Sequence, residues 1–145
     1  MDVDASLRIG PLHLGVRRSP LHSPGQAYAL AAEITKRPML SLTGLMFYDA
    51  QIAGLPDSSP AVRTMKRLSA RELRARRREV IVAVRNLADL KVINGGGTGS
   101  LHIVSRDHQL TELAAGSGLY GPTLFDHYRN FTPSPGRLLR QPRGA

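Results

Sequence analysis

Two glycine-rich runs hold the residues of this chain best suited to chemistry. The first, Asn94-Gly95-Gly96-Gly97-Thr98-Gly99-Ser100, follows the apolar stretch Leu90 to Asn94. Glycine lets a chain turn tightly and bring its amide N–H groups close to an anion, and Thr98 and Ser100 add hydroxyl donors. The second, Gly116-Ser117-Gly118-Leu119-Tyr120-Gly121, follows the strand candidate 110–115. It matches GxGxxG literally, but a dinucleotide site needs a helix, a second strand and an acidic residue about 20 positions further on. The proline-rich, basic residues after Gly121 offer none of these, and no GxxxxGK[ST] run is present. Two glycine turns ending consecutive parallel strands would converge on one spot, so a single phosphate held near 97–98 and 116–118 is the expected chemistry. A flexible loop is the bland alternative for either turn taken alone.

Other polar residues carry weaker signals. Asp4, Asp49 and Glu112 fall at or near strand ends and could orient a ring nitrogen or an amine; capping and loop hydrogen bonds are their ordinary roles. Arg17 and Arg18 could hold a carboxylate bidentately, or form a solvated pair. The five histidines, His13, His22, His102, His108 and His127, show no i, i+4 pair with a supporting carboxylate. No metal site is expected from them. Tyr120 and Tyr128 read as packing residues.

These groups need a scaffold, and the sequence suggests one. Short apolar runs alternate with helical patterns, the mark of βα units and a parallel sheet. Residues 1–4 read as the end of a strand and 5–23 as loop. Ser23 caps a helix that starts at Pro24 and ends before Pro38. Residues 39–48 suit a buried strand, and 49–60 an extended loop. A helix is expected over about 60–88, with Ser69 and Glu72 as a capping box and Leu68, Leu73, Val80, Val84 and Leu87 inward. Strands are expected at 90–94 and 110–115, with a short helix or turn between. The fold class expected is α/β: part of a (β/α) TIM-type barrel, incomplete at both ends, over residues 1–131. A Pro/Gly/Arg-rich tail over 132–145 is expected to be unfolded.

The 145 residues allow one ordinary domain but fall short of the roughly 250 of a full eight-fold barrel. With 41% hydrophobic and 21% charged residues the composition is globular. Cysteine is absent, so disulfides and thiolate metal sites are excluded. No apolar run approaches a membrane span and the N-terminus lacks signal-peptide character, so no membrane is expected and the cytoplasm is the default location. The net charge of +9 comes mostly from arginine and is concentrated between Arg63 and Arg78. A solvated helix face is the first reading of that cluster; a non-enzymatic module binding anions or nucleic acid is the alternative.

Several segments resemble fold-type III pyridoxal-phosphate enzymes, the alanine racemase, D-threonine aldolase and D-serine dehydratase class. Val3-Asp4-Ala5-Ser6 with His13-Leu14-Gly15-Val16 is similar to their early "D-x-G … R-x-G-V" segment, with His13 in place of arginine. Gly44 to Ala50 resembles "G-L-x-x-Y-D/E-G/A", Asn94 to Ser100 the GGGTG phosphate loop, and Thr111-Glu112 with Gly116 to Gly121 the "T-E-x-x-x-G-S … Y" segment. Leu124-Phe125-Asp126 continues that pattern. The bacterial group called amino acid deaminase/aldolase is the one most resembled, over residues 2 to about 131. The resemblance implies pyridoxal phosphate as cofactor, with Gly97, Thr98, Gly116, Ser117 and Gly118 at its phosphate and Tyr48 beside its ring. It implies an amino acid substrate undergoing deamination, aldol cleavage or racemisation. The family's Schiff-base lysine lies on the first barrel strand. Lys36, Lys66 and Lys91 do not match it, so covalent attachment and activity of this chain alone are not expected. Association with a complementary chain or with itself is expected instead.

Overall fold

The computed structural model describes residues 1–132 and Ser134; the tail expected over 132–145 otherwise lies outside the described residues. Residues 5–23, expected as loop, contain a small antiparallel hairpin, β1 (Leu7–Ile9) with β2 (Leu12–Leu14). Gly10, at φ +54°, supplies the left-handed turn that a two-residue hairpin connection requires. Three-residue strands are too short for an alternating pattern to declare itself, which is why sequence pattern passes over them.

Helix α1 (Pro24–Thr35) begins where expected. Ser23 accepts the Gln26 amide, and the Gln26 side chain accepts the Ser23 amide, so two of the helix's orphan donors are satisfied. Ala27 and Ala31, four apart, are fully buried, and their small side chains let α1 lie close against α3 (Pro60–Arg85). The start of α3 corrects the capping-box expectation. The helix begins after Ser59 with Pro60 in its first turn, and Ser69 lies inside it, buried and accepting a hydrogen bond from Gln51 at 2.7 Å. Leu68 also corrects: it is exposed, while Leu73, Val80 and Val84 point inward.

Three parallel strands lie in the order β3 (Gly44–Phe47), β4 (Val92–Gly95), β5 (Glu112–Leu113). Asp2 adds a parallel bridge to Met46 on the far side of β3. β3 is shorter than the 39–48 run; Met39 and Leu40 are exposed. A four-residue helix, α2 (Ala50–Ala53), occupies the start of the segment expected as extended loop. After β4 come a 3₁₀ turn (Thr98–Ser100) and α4 (Leu101–Val104), and after β5 a second 3₁₀ turn (Thr123–Phe125). The core joins Leu45, Phe47 and Ile93 from the sheet to Leu73, Val80, Ile81 and Val84 of α3.

The arginine-rich helix is not simply a solvated face. Its last turns bury aliphatic Val80, Ile81 and Val84, but the turns before them bury Lys66, Arg76 and Arg77. α3 runs back against the sheet, so these residues lie beside the C-terminal strand ends and the chain segments around them, where carbonyls need donors. Arg76 donates to the carbonyls of Asp4 (2.8 Å), Ser6 (3.0 Å) and His22 (3.2 Å) and pairs with Glu72. Arg77 pairs with buried Asp107 and lies 5.1 Å from the Phe47 ring centre. Guanidinium's several fixed donors make such multi-carbonyl bracing possible.

Candidate functional site

The strand ends position the site. β3 empties into Tyr48 and Asp49, β4 into the turn at 96–100, and β5 into the turn at 114–118. A cavity of about 310 Å³ opens among them. Five of the six candidate residues, Tyr48, Gly97, Thr98, Gly116 and Ser117, contribute to its wall. Gly118 does not; its amide donates to Ala115 at 2.9 Å and closes the second turn. The two turns meet where Thr98 Oγ1 and Ser117 Oγ lie 3.3 Å apart.

Below the cavity, buried polar groups hold the first turn. The Ser100 hydroxyl accepts the Gly97 amide at 3.0 Å and lies 3.0 Å from Asp49 Oδ1. Asp49 is fully buried, its Oδ2 has no hydrogen-bond partner among the described residues, and burial pushes its carboxyl up to about 7. An acid held near neutrality in this way carries a proton far more readily than an exposed aspartate. The Gly97 amide is thus spent internally, whereas the amides of Thr98, Gly116 and Ser117 make no backbone hydrogen bond among the described residues. Those three amides and two hydroxyls form a donor set suited to a phosphate monoester.

Arg18 completes the wall. Its guanidinium lies 5.0 Å from the Tyr48 ring centre and 3.4 Å from Asp2. Arg17 lines a different groove beside the hairpin, to which Arg18 also contributes. Of the other polar candidates, Asp4 accepts from Ser6 and Arg8, and Glu112 from Asn94 at 2.6 Å, both structural roles. The C-terminal side of the cavity is formed by residues that were given no site role from the sequence, Leu124 and Phe125 having entered only as a continuation of the family pattern. Leu124 and Phe125 line it, and the segment is latched by Tyr128 Oη donating to the Ala53 carbonyl at 2.8 Å. Asp57 accepts from Arg129 and Asn130 at 2.6 and 2.8 Å, which holds its carboxyl below the usual range despite burial. No sequence signal marks these contacts, because each joins positions more than 70 apart.

The donor set fits the phosphate of pyridoxal phosphate, and Tyr48 lines the same cavity of about 310 Å³. A covalent link is not matched by the described residues: no lysine lines the cavity. Lys36 is exposed and paired with Glu33, and Lys91 is exposed. The Lys66 amine is buried 4.7 Å from the Tyr128 ring centre and does not line the cavity. Among the described residues no group of three or more His, Asp or Glu could hold a metal, and no helix is long and apolar enough to cross a membrane.

No protein-family model matches the chain, and no curated protein matches it in sequence. Among solved structures, the D-threonine aldolase from Filomicrobium marinum is similar, with a TM-score of 0.70 at 19% identity over 86% of this chain. The match spans 33% of the aldolase chain, and at that identity it speaks for the fold. The chain therefore shares the fold of about one third of a D-threonine aldolase.

Proposed function

We propose that this chain is a sector of the barrel of a fold-type III pyridoxal-phosphate enzyme acting on amino acids, of the aldolase or deaminase kind. On this reading its described residues hold the cofactor's phosphate. The observation that carries the reading is the junction of two glycine turns, from adjacent parallel strands, on one donor-lined cavity. Pyridoxal phosphate, when bound, supplies an electron sink for bonds at the α-carbon of an amino acid. The chain's own residues have narrower tasks. Thr98, Gly116 and Ser117 bind the phosphate through amides and hydroxyls. Tyr48 flanks the ring. Arg18 presents a guanidinium to the substrate carboxylate, the planar recognition for which arginine is suited. Leu124 and Phe125 exclude water from one side.

The sheet supports the sector reading. Outside β5 no further strand pairs among the described residues, so its edge is open to a complementary chain segment or a second copy. The cytoplasm remains the expected compartment.

Titration with pyridoxal phosphate, followed by thermal unfolding and visible absorbance with and without borohydride, tests this. Stabilisation without a reducible adduct is the expected result. A folded protein indifferent to the cofactor overturns the phosphate assignment. A borohydride-fixed adduct at one lysine overturns non-covalent holding.

A further inference from the structure

Helix α3 carries Arg63, Arg67, Arg71, Arg74 and Arg78 at spacings of four, four, three and four, which puts them on one stripe about 22 Å long. Beside the stripe lies a groove of about 490 Å³ between α3 and the end of α4. Arg67, Arg71 and Arg74 form one wall and Arg106 the other; Ala70 and Ile103 lie along it, with His102 and Asn130. The groove shares no lining residue with the glycine-turn cavity. Its arginines are poorly neutralised. Arg67, Arg71 and Arg106 have no carboxylate partner among the described residues, and Arg74 reaches only Asp107 at 3.7 Å. Asp107 is buried and already paired with Arg77, and Glu72 is occupied by Arg76. Like charges converging on one cleft without counter-charges raise the local potential and favour a polyanion.

We propose that this groove binds single-stranded nucleic acid, its phosphates meeting the arginines on both walls and its bases the uncharged surface of Ile103 and His102. The stripe's length selects a linear chain of phosphates over a single anion. A groove walled by α3 on one side and one turn of helix on the other holds one strand within it, where a duplex would lie across its rim. The apolar stretch distinguishes a nucleic-acid strand from polyphosphate, which has nothing to place there.

The test is fluorescence anisotropy with a labelled oligothymidylate over a salt series. Four arginines neutralising four phosphates should give a slope of log affinity against log salt near about −3. The double variant Arg67→Glu/Arg71→Glu should weaken binding at least tenfold, and Arg106→Ser severalfold. All three sites are exposed, and unchanged thermal unfolding of each variant shows that the fold is retained. Arg37→Glu, an exposed control just beyond the C-terminal cap of α1, should leave affinity unchanged. Equal loss in the Arg37 variant would reduce the effect to net charge and overturn the site. Competition by polyphosphate at parity per phosphate, or equal affinity for duplex, would overturn the single-strand assignment. Pyridoxal phosphate should not compete; if it does, the two sites are not separate.

Discussion

A methyl group added at Gly99 would lie 2.2 Å from the Ala53 carbonyl oxygen and 2.6 Å from the Tyr128 ring, whereas one added at Gly116 would meet nothing within 4 Å. Gly118 in the second turn is intermediate, a Cβ there lying 3.1 Å from the Ala115 carbonyl oxygen, whereas the first turn is tight at every glycine. A Cβ added at Gly97 would lie 2.6 Å from Ala53 Cβ, Gly96 sits at φ +87° against Val104, and a side chain on Gly95 would meet Leu110 and the Arg77 guanidinium. The first turn needs glycine because helix α2, α4 and the C-terminal latch are packed onto it. Gly116 needs none of that; the space a side chain would take there is empty, and Gly116 lines the cavity. Two turns that look equivalent as phosphate loops are a fixed wall and an open one.

The contrast can be broken from beneath. Arg77 underlies the first turn and its removal leaves Asp107 buried without its close partner. Arg77→Ala should cost about 3–5 kcal/mol, measured by denaturant unfolding. A loss under about 1 kcal/mol would mean that Asp107 is served by water instead. Packing is tested directly by Gly99→Ala. Its contacts are a backbone oxygen and a ring held by a hydrogen bond, so relief is costly and about 3 kcal/mol of destabilisation is expected. A variant as stable as the parent would show that α2 does not press on the turn.

Asp49 gives the first turn a pH signature. Its carboxyl titrates at about 7 when folded against an ordinary value of 3.8, so unfolding releases its proton between these limits. Its contribution to stability is largest below pH 3.8, falls as pH rises to about 7 and is level above, with a steepest slope of about 1.4 kcal/mol per pH unit. Asp4 and Asp57, held below the usual range, act in the opposite sense as pH falls. The difference between the parent and Asp49→Asn isolates the Asp49 part; parallel stability curves across that window would refute the buried acid.

The smallest stability effect belongs to the open turn. Gly116→Ala should change unfolding free energy by less than about 0.5 kcal/mol. Thr98→Val, by removing a donor to a charged ligand, should weaken pyridoxal phosphate binding about tenfold by the loss of roughly 1.5 kcal/mol. If Gly116→Ala proved as damaging to stability as Gly99→Ala, the two turns would have to be regarded as equally packed.

Local chemistry decided much of this molecule. Ser23, Pro24 and Gln26 contain all that is needed to start α1, because capping is a contact between near neighbours. The order of apolar runs was enough for parallel βα units, and the glycine turns could be found because they lie directly after strands. Contacts between distant positions were settled only in three dimensions. Ser69 resembles a helix start in its near neighbours, yet Pro60 nucleates the helix earlier and Ser69 is needed inside to receive Gln51. Arg76 and Arg77 are indistinguishable in sequence from Arg71 and Arg74, and helical phase against the sheet decides which are buried as braces and which face the groove. Asp49 reads as a loop residue; enclosure by Ser100, α2 and α3 makes it an acid of near-neutral pKa. A sequence carries periodicity and caps in its immediate neighbourhood, but desolvation and close approach depend on groups brought from elsewhere in the chain.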